Sequence, residues 1–300
     1  MARGELPLWD AVAETVAGAL GRPFRPGQVR PVAGGDINRA FRAEDGDRRC
    51  FVKLNDESLG DMFQAEAQGL AELAAAGGPR VPHVLGWGTA EGQAYLVLEW
   101  LELVFVDAAV SARLGEALAA LHGATAQAFG WHRDNTIGTT PQPNPRETDW
   151  AAFYARHRLG HQLDLLQGAA VGRDLVDRGR RLQDAVPALL AGHWPVPSLL
   201  HGDLWGGNAA ALGDGTPVVF DPAVHYGDRE CDLAMTELFG GFGPAFQAAY
   251  RDAWPLPEGY EAVRRDLYQL YHLLNHCNLF GAGYAASCRR VMDRLLAEAG

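Results

Sequence analysis

Lysine is almost absent from this chain. Among 26 basic residues in 300, Lys53 is the single lysine and the rest are arginines. Arginine therefore serves wherever a generic positive charge suffices. Lys53 is expected where a compact ammonium on a flexible stem is needed and a wide planar fork is not. Positive charge is scarce overall: the formal net charge is −11, and no basic run or patch occurs. That excludes a nucleic-acid footprint and is mildly compatible with a cationic substrate. Only four cysteines occur, Cys50, Cys231, Cys277 and Cys288, none in CxxC spacing. Neither a zinc site nor a disulfide framework is indicated. No uncharged apolar stretch reaches membrane-spanning length, and Glu5, Asp10 and Glu14 interrupt any signal-peptide core. The expectation is a cytoplasmic protein with no membrane and no nucleic-acid partner. What is present, 48% hydrophobic and 21% charged residues, describes an ordinary globular chain with ample core.

The most informative stretch is His201-Gly202-Asp203-Leu204-Trp205-Gly206-Gly207-Asn208, with Asp221 thirteen residues further on. The apolar run Pro217-Val218-Val219-Phe220 reads as a buried strand that delivers Asp221. An Asp, an Asn five residues on, and a second Asp after a short strand form the set that kinase-type folds use for phosphoryl transfer. The first Asp accepts the proton of the attacking hydroxyl; the Asn and second Asp hold Mg²⁺ against the nucleotide phosphates. Turn chemistry explains the residue types, but not three Mg²⁺-competent groups at these spacings. Lys53 lies in the strand-like Cys50-Phe51-Val52-Lys53-Leu54, where such folds place the lysine that grips the α- and β-phosphates. Asp61 begins a helix whose Glu66 is the natural partner of that ammonium. Upstream, Gly34 and Gly35 sit between two strands where backbone amides reach phosphate oxygens, although adjacent glycines equally make a hairpin turn. Asp36 is awkward there and either points away or meets a substrate amine.

The pattern predicts an α+β chain of two lobes. Residues 1–101 form a small lobe with an antiparallel sheet and helices; residues 102–300 form a larger, mainly helical lobe. A helix spans Leu8 to Ala17, stopped by Gly21 and Pro23. Strands fill Val29 to Leu54, broken at Gly34-Gly35 and at the turn Glu44-Asp45-Gly46. The Glu66 helix stops at Gly77-Gly78-Pro79, and two more strands run near Val84–Trp87 and Tyr95–Trp100. Glu99-Trp100-Leu101 reads as the hinge, with the backbone of Glu99 and Leu101 meeting the adenine. Helix resumes at Leu114–His122, and Gly138 to Arg146 reads as a polar loop.

These blocks together resemble the fructosamine kinase (ketosamine-3-kinase) family, a relative of aminoglycoside phosphotransferases and choline kinases within the protein-kinase-like fold. The resemblance runs from Gly34-Gly35-Asp36-Ile37-Asn38 and Phe51-Val52-Lys53 through Ile137-Gly138-Thr139-Thr140-Pro141-Gln142-Pro143-Asn144. It continues through Leu199-Leu200-His201-Gly202-Asp203-Leu204-Trp205, Asp221-Pro222-Ala223 and Tyr226-Gly227-Asp228-Arg229-Glu230-Cys231-Asp232 to Tyr268-Gln269-Leu270-Tyr271-His272-Leu273-Leu274-Asn275-His276. It implies ATP and Mg²⁺ as cofactors, Asp203 as catalytic base, Asn208 and Asp221 as metal ligands, and Lys53 with Glu66 as the phosphate-gripping pair. The implied acceptor is the 3-hydroxyl of a ketosamine, a sugar–amine adduct, free or protein-bound, with the enzyme a monomer or homodimer. A phosphate at C3 beside the enolisable C2 ketone is a good leaving group, so the product sheds phosphate and releases the amine. That chemistry resembles deglycation repair.

Departures narrow the reading. Gly202 stands where protein kinases have the HRD arginine, and Pro222-Ala223 where they have Phe-Gly, which suggests a constitutively active small-molecule kinase. Substrate candidates are Trp205 as a wall of the acceptor site, Gln142 and Asn144 for hydroxyls, Asp228 for the amine, and His276. The first four have plain structural alternatives: core tryptophan for Trp205, turn stabilisation for Gln142 and Asn144, and pairing of Asp228 with Arg229. His272 and His276, four apart on a helix, lack the Glu of a zinc hydrolase motif. His201 reads as an anchor of the catalytic loop. Two other functions remain open at this stage: a kinase of the same fold for an aminoglycoside, choline or homoserine acceptor, and a binding pseudokinase.

Overall fold

The protein is described from a computed structural model covering residues 6–33, 37–168 and 173–300. Helix α1 (Leu6–Leu20) precedes three strands, β1 (Gln28–Val32), β2 (Arg39–Asp45) and β3 (Arg48–Asp56). Helix α2 (Gly60–Ala76) follows, then β4 (Val84–Ala90) and β5 (Gln93–Glu99). The five strands form one antiparallel sheet in the order β1-β2-β3-β5-β4. Gly46, with φ 62°, makes the expected β2–β3 turn, and Gly77, at φ 76°, ends α2 in the left-handed conformation open to glycine.

Strand periodicity decides what each face of this sheet does. Cys50, Val52 and Leu54 of β3, with Tyr95 and Val97 of β5, pack against Leu8, Trp9, Val12 and Val16 of α1. Each such buried side chain contributes roughly 1.5–3 kcal/mol. The alternate residues Ala94, Leu96 and Leu98 face Met62, Phe63, Leu70 and Leu73 of α2. Because successive strand side chains point to opposite faces, Lys53 necessarily projects to the α2 side.

The chain then continues as β6 (Leu103–Val104), α3 (Ala108–His122), β7 (Asn135–Ile137), β8 (Thr140–Gln142), α4 (Trp150–Phe153), α5 (His161–Leu165) and α6 (Arg173–Leu189). Asp107 caps α3 by accepting the Val110 N–H at 2.8 Å. The segment expected to be a loop from Gly138 is partly a hairpin: β7 pairs with β8, and Gly138 takes φ 61° at its tight turn. After α6 come β9 (Ser198–Leu200), β10 (Ala209–Leu212), β11 (Pro217–Val219), β12 (His225–Gly227), α7 (Glu230–Leu238), α8 (Pro244–Ala253), α9 (Arg265–Phe280) and α10 (Ala285–Ala299). The core of this half gathers Phe153, Leu163, Leu182, Leu274, Met292 and Leu295 around α9. Strand β10 pairs with both β11 and β6, and β9 pairs with β12. None of the described helices is long and apolar enough to cross a membrane.

Candidate active site

Lys53 and Asp221, 168 residues apart in sequence, meet at the inner face of the β3–β5 sheet. The Lys53 ammonium is 4% exposed and donates to Glu66 Oε1 at 2.6 Å and to Asp221 Oδ1 at 2.6 Å. Burial by itself would lower the lysine pKa; the Asp221 and Glu66 carboxylates outweigh it and hold the ammonium above its ordinary value. Glu66 reaches Lys53 because α2 packs on the face to which strand parity sends the lysine. The expected pairing is therefore made, with Asp221 as a second carboxylate partner.

Asp221 follows β11 and takes φ 57°, a left-handed conformation tolerated best by Gly, Asn and Asp. Its side chain is 42% exposed, although Lys53 is buried and Glu66 nearly so. The preceding Phe220 N–H donates to Asn208 O at 3.1 Å, which ties the two halves of the motif together. Asn208 Nδ2 donates to the Asp203 carbonyl at 2.9 Å and to Asp203 Oδ2 at 3.3 Å. With its amide nitrogen so engaged, Asn208 has Oδ1 to offer a cation, and Asp221 has a half-exposed carboxylate. Two hard oxygen donors of this kind suit Mg²⁺.

Asp203 is pushed up to about 7, first by burial and then by the Asp221 and Asp232 carboxylates, while the Asn208 bond opposes the shift. A carboxylate poised near neutrality is well matched to taking a proton from a hydroxyl. His201 does not compete for that role. Burial lowers its pKa, its Nε2 donates to Phe220 O at 3.0 Å, and its Nδ1 accepts the Asp203 N–H at 3.3 Å. Gly202 is conformationally required: it takes φ 83°, and a Cβ there would overlap the Ala223 carbonyl oxygen. This close approach explains why no arginine stands at that position.

The loop has a keystone that sequence reasoning did not single out. Asp232, in the first turn of α7, is 1% exposed and accepts the His201 N–H at 2.8 Å and the Gly202 N–H at 2.8 Å. His122 Nε2 of α3 lies 3.1 Å from the same carboxylate, and its Nδ1 lies 2.7 Å from the Tyr250 hydroxyl. Asp232 stood within a block that the family resemblance already covered. Its role rests on contacts some thirty residues away, for which a single sequence carries no local signal.

The other candidates divide. Gly34 and Gly35, with Asp36, lie outside the described residues. At the expected hinge, the Glu99 carboxylate pairs with Arg80 and its N–H donates to His83 O at 2.9 Å. Glu99 ends β5 and Leu101 lies two residues beyond it, where the adenine contact is expected. Trp205 is 40% exposed on the catalytic loop, so it is not a core tryptophan. Gln142 and Asn144 do not face an acceptor. They are 1% and 2% exposed, and their amides are committed inside the protein. Gln142 Nε2 donates to Asn135 Oδ1 and Ala223 O, and Gln142 Oε1 accepts from Tyr271. Asn144 Nδ2 donates to Asn135 Oδ1, and Asn144 Oδ1 accepts from Arg158. Asp228 is likewise interior, held by the Tyr268 hydroxyl at 2.6 Å and His193 Nε2 at 2.6 Å. Arg229 turns instead to Tyr250, Trp254 and Pro255, so the expected Asp228–Arg229 pair does not form. His276 is half-buried and donates Nδ1–H to the His272 carbonyl at 2.8 Å, its ring flanked by Phe239, Phe280 and Tyr284. His272 and His276 belong to no metal-competent cluster among the described residues.

The comparisons with known proteins agree with this geometry. A family model described as fructosamine kinase matches residues 8–298. A probable ketoamine kinase of Synechocystis is 47% identical over 290 residues, covering 96% of this chain and 97% of that protein. The chloroplastic protein-ribulosamine 3-kinase of Oryza sativa subsp. indica is 40% identical over 271 residues, 89% of this chain and 78% of that protein. Among solved structures, a candidate fructosamine-3-kinase of Haemophilus somnus matches with TM-score 0.88 at 32% identity, covering 96% and 97% of the two chains. An aminoglycoside phosphotransferase shares the fold alone, with TM-score 0.63 at 19% identity over 94% of this chain and 98% of the other. With its Lys53–Glu66–Asp221 cluster and its Asp203–Asn208 loop on that shared fold, the chain belongs to the fructosamine kinase family.

Proposed function

We propose that this protein transfers the γ-phosphoryl group of ATP to the 3-hydroxyl of a ketosamine, with residues 1–101 as the nucleotide lobe and 102–300 as the catalytic lobe. The observation that carries this is a pair of hydrogen-bonded groups, Lys53–Glu66–Asp221 and Asp203–Asn208, tied together by the Phe220 N–H to Asn208 O bond and by the Asp221 charge acting on Asp203. Relatives bearing the names ketoamine kinase and protein-ribulosamine 3-kinase support the acceptor class. A structural neighbour solved with ADP and hygromycin B supports the donor.

In this reading Lys53, fixed by Glu66, grips the α- and β-phosphates. Asn208 Oδ1 and the Asp221 carboxylate would hold Mg²⁺, which when bound would supply positive charge against the negative charge that develops on the transferred phosphoryl group. Asp203 accepts the acceptor's hydroxyl proton as that oxygen attacks the γ-phosphorus, and ADP leaves with the bridging electrons. The exposed Trp205 and the half-buried His276 are the groups we assign to the acceptor. Trp205 supplies a flat apolar wall. His276, its Nδ1–H already donated, offers Nε2 as an acceptor to a sugar hydroxyl.

The test is ATP consumption with Mg²⁺ against ribulose-, fructose- and erythrulose-lysine adducts, with kanamycin and choline as other acceptors and Asp203→Asn as control. Ketosamine turnover lost in Asp203→Asn, with an alkali-labile 3-phosphate product, is the expected result. Turnover of kanamycin or choline alone would overturn the acceptor, and silence throughout would overturn the activity.

A further inference from the structure

We infer that Glu72 is a positioning residue, whose carboxylate clamps α2 to the catalytic half and so holds Glu66 against Lys53. This rests on the phosphate-gripping role proposed for Lys53. Glu66 and Glu72 stand six residues apart on α2, about 240° around the helix. The two carboxylates therefore leave on different faces, Glu66 toward the sheet and Glu72 toward the catalytic half. Glu72 Oε2 accepts the Trp131 Nε1–H at 2.6 Å, and Oε1 accepts the Tyr226 O–H at 2.8 Å.

The two donors form a rigid receptor. Gly130, next to Trp131, exchanges backbone hydrogen bonds with Tyr226 in both directions, at 2.9 and 2.8 Å. Tyr226 lies in β12, five residues after Asp221. Two further contacts run along the same helix. A Cβ added at Gly69 would come within 2.9 Å of Val224 Cγ2, so α2 lies against the segment that follows Asp221. At the start of α2, Asp61 pairs with Arg133. The helix that carries Glu66 is thus docked onto the same stretch of chain that carries Asp221. Both carboxylate partners of Lys53 move as one body. The Glu72 bonds resist movement of the helix that would carry Glu66 away from Lys53, which gives a physical reason for a lysine–glutamate pair that needs no regulatory input.

A half-buried acid that merely stabilises the fold would make the same bonds, so the test must separate the two roles. Glu72→Ala, Glu72→Gln and Tyr226→Phe are prepared in the full chain, alone and in a Glu66→Ala background. Kinetics are measured well below each variant's Tm, with ATP titrated at saturating ketosamine. Positioning predicts that Glu72→Ala raises KM for ATP about ten-fold while KM for the acceptor stays within about two-fold, with partial recovery in Glu72→Gln. In the Glu66→Ala background the same substitution should change KM for ATP less than about two-fold, because the group it acts through is gone. An unchanged KM for ATP, or the full loss repeated in Glu66→Ala, overturns the inference. Should Glu72→Ala fail to fold, Tyr226→Phe carries the same comparison with an expected rise of about three-fold. Lys53→Ala is the separate control: near-normal turnover in that variant would sink the site assignment itself.

Discussion

Replacing Asp232 by Asn keeps the side chain's size and removes its charge at the point where α7 holds the catalytic loop. The wild-type carboxylate accepts both the His201 and Gly202 N–H groups at 2.8 Å, with His122 Nε2 at 3.1 Å. An amide has one oxygen, so at least one backbone donor would meet an NH₂ group and lose its acceptor. Hydrogen bonds to a charged acceptor contribute about 1.5–3 kcal/mol each, and a buried unsatisfied donor costs about 1–3 kcal/mol. The expected destabilisation is about 2–4 kcal/mol at pH 7, read as a shift in the urea midpoint at constant m-value. Burial by itself would raise the Asp232 pKa, but the bonds and charges of His122, His201 and Gly202 hold it below the usual carboxylate range. A depressed folded pKa gives stability that is present above the unfolded value of about 3.9 and lost as pH falls through the folded one. The difference between wild type and variant should therefore persist from pH 6 to 8 and shrink below about pH 4. Because Asp203 follows this anchor directly, a small shift of the loop should also lower kcat, by about 10–100-fold. Stability within about 0.5 kcal/mol of wild type, together with kcat within two-fold, would refute the keystone role.

Lys53→Arg should lower kcat/KM at least about 100-fold in steady-state assays, because a planar fork does not fit between two carboxylates each 2.6 Å from one ammonium. Asp203→Asn should abolish turnover while retaining ATP binding by calorimetry, and it should change the pH dependence of stability. With a folded pKa of about 7, wild-type Asp203 binds a proton more tightly than in the unfolded chain. Native stability therefore falls as pH rises from about 4 to 7, and the variant should gain about 1–2 kcal/mol over wild type at pH 8 and nothing at pH 4. No such widening in thermal melts would refute the raised pKa. Gln142→Ala should cost about 2–4 kcal/mol of stability, since it strips partners from Asn135, Tyr271 and Ala223. A raised acceptor KM at unchanged stability would instead put Gln142 back in the substrate site.

The groups we propose for phosphoryl transfer were legible in the sequence because that chemistry fixes both type and spacing. Asp203, Asn208 and Asp221 occupy one short loop and one strand end, so local order alone brings them near each other. Lys53 was legible through composition, as the single lysine of the chain, and strand alternation then fixed the face on which it emerges. The sequence also carried most helices and strands of the first hundred residues, where turn glycines punctuate apolar alternation. The acceptor-side polar residues were misplaced for a physical reason. Pro141-Gln142-Pro143-Asn144 has loop composition, yet burial of β7–β8 against Ala223 and Tyr271 turns both amides inward. Composition reports which groups can form hydrogen bonds, not whether water or protein will supply the partner. Asp228 shows the same limit, its partners Tyr268 and His193 lying 40 and 35 residues away. The sequence by itself singled out the side chains we propose for the chemistry. Tertiary structure alone decided what holds them, because Asp232 and Glu72 act through contacts of long sequence separation that leave no local pattern.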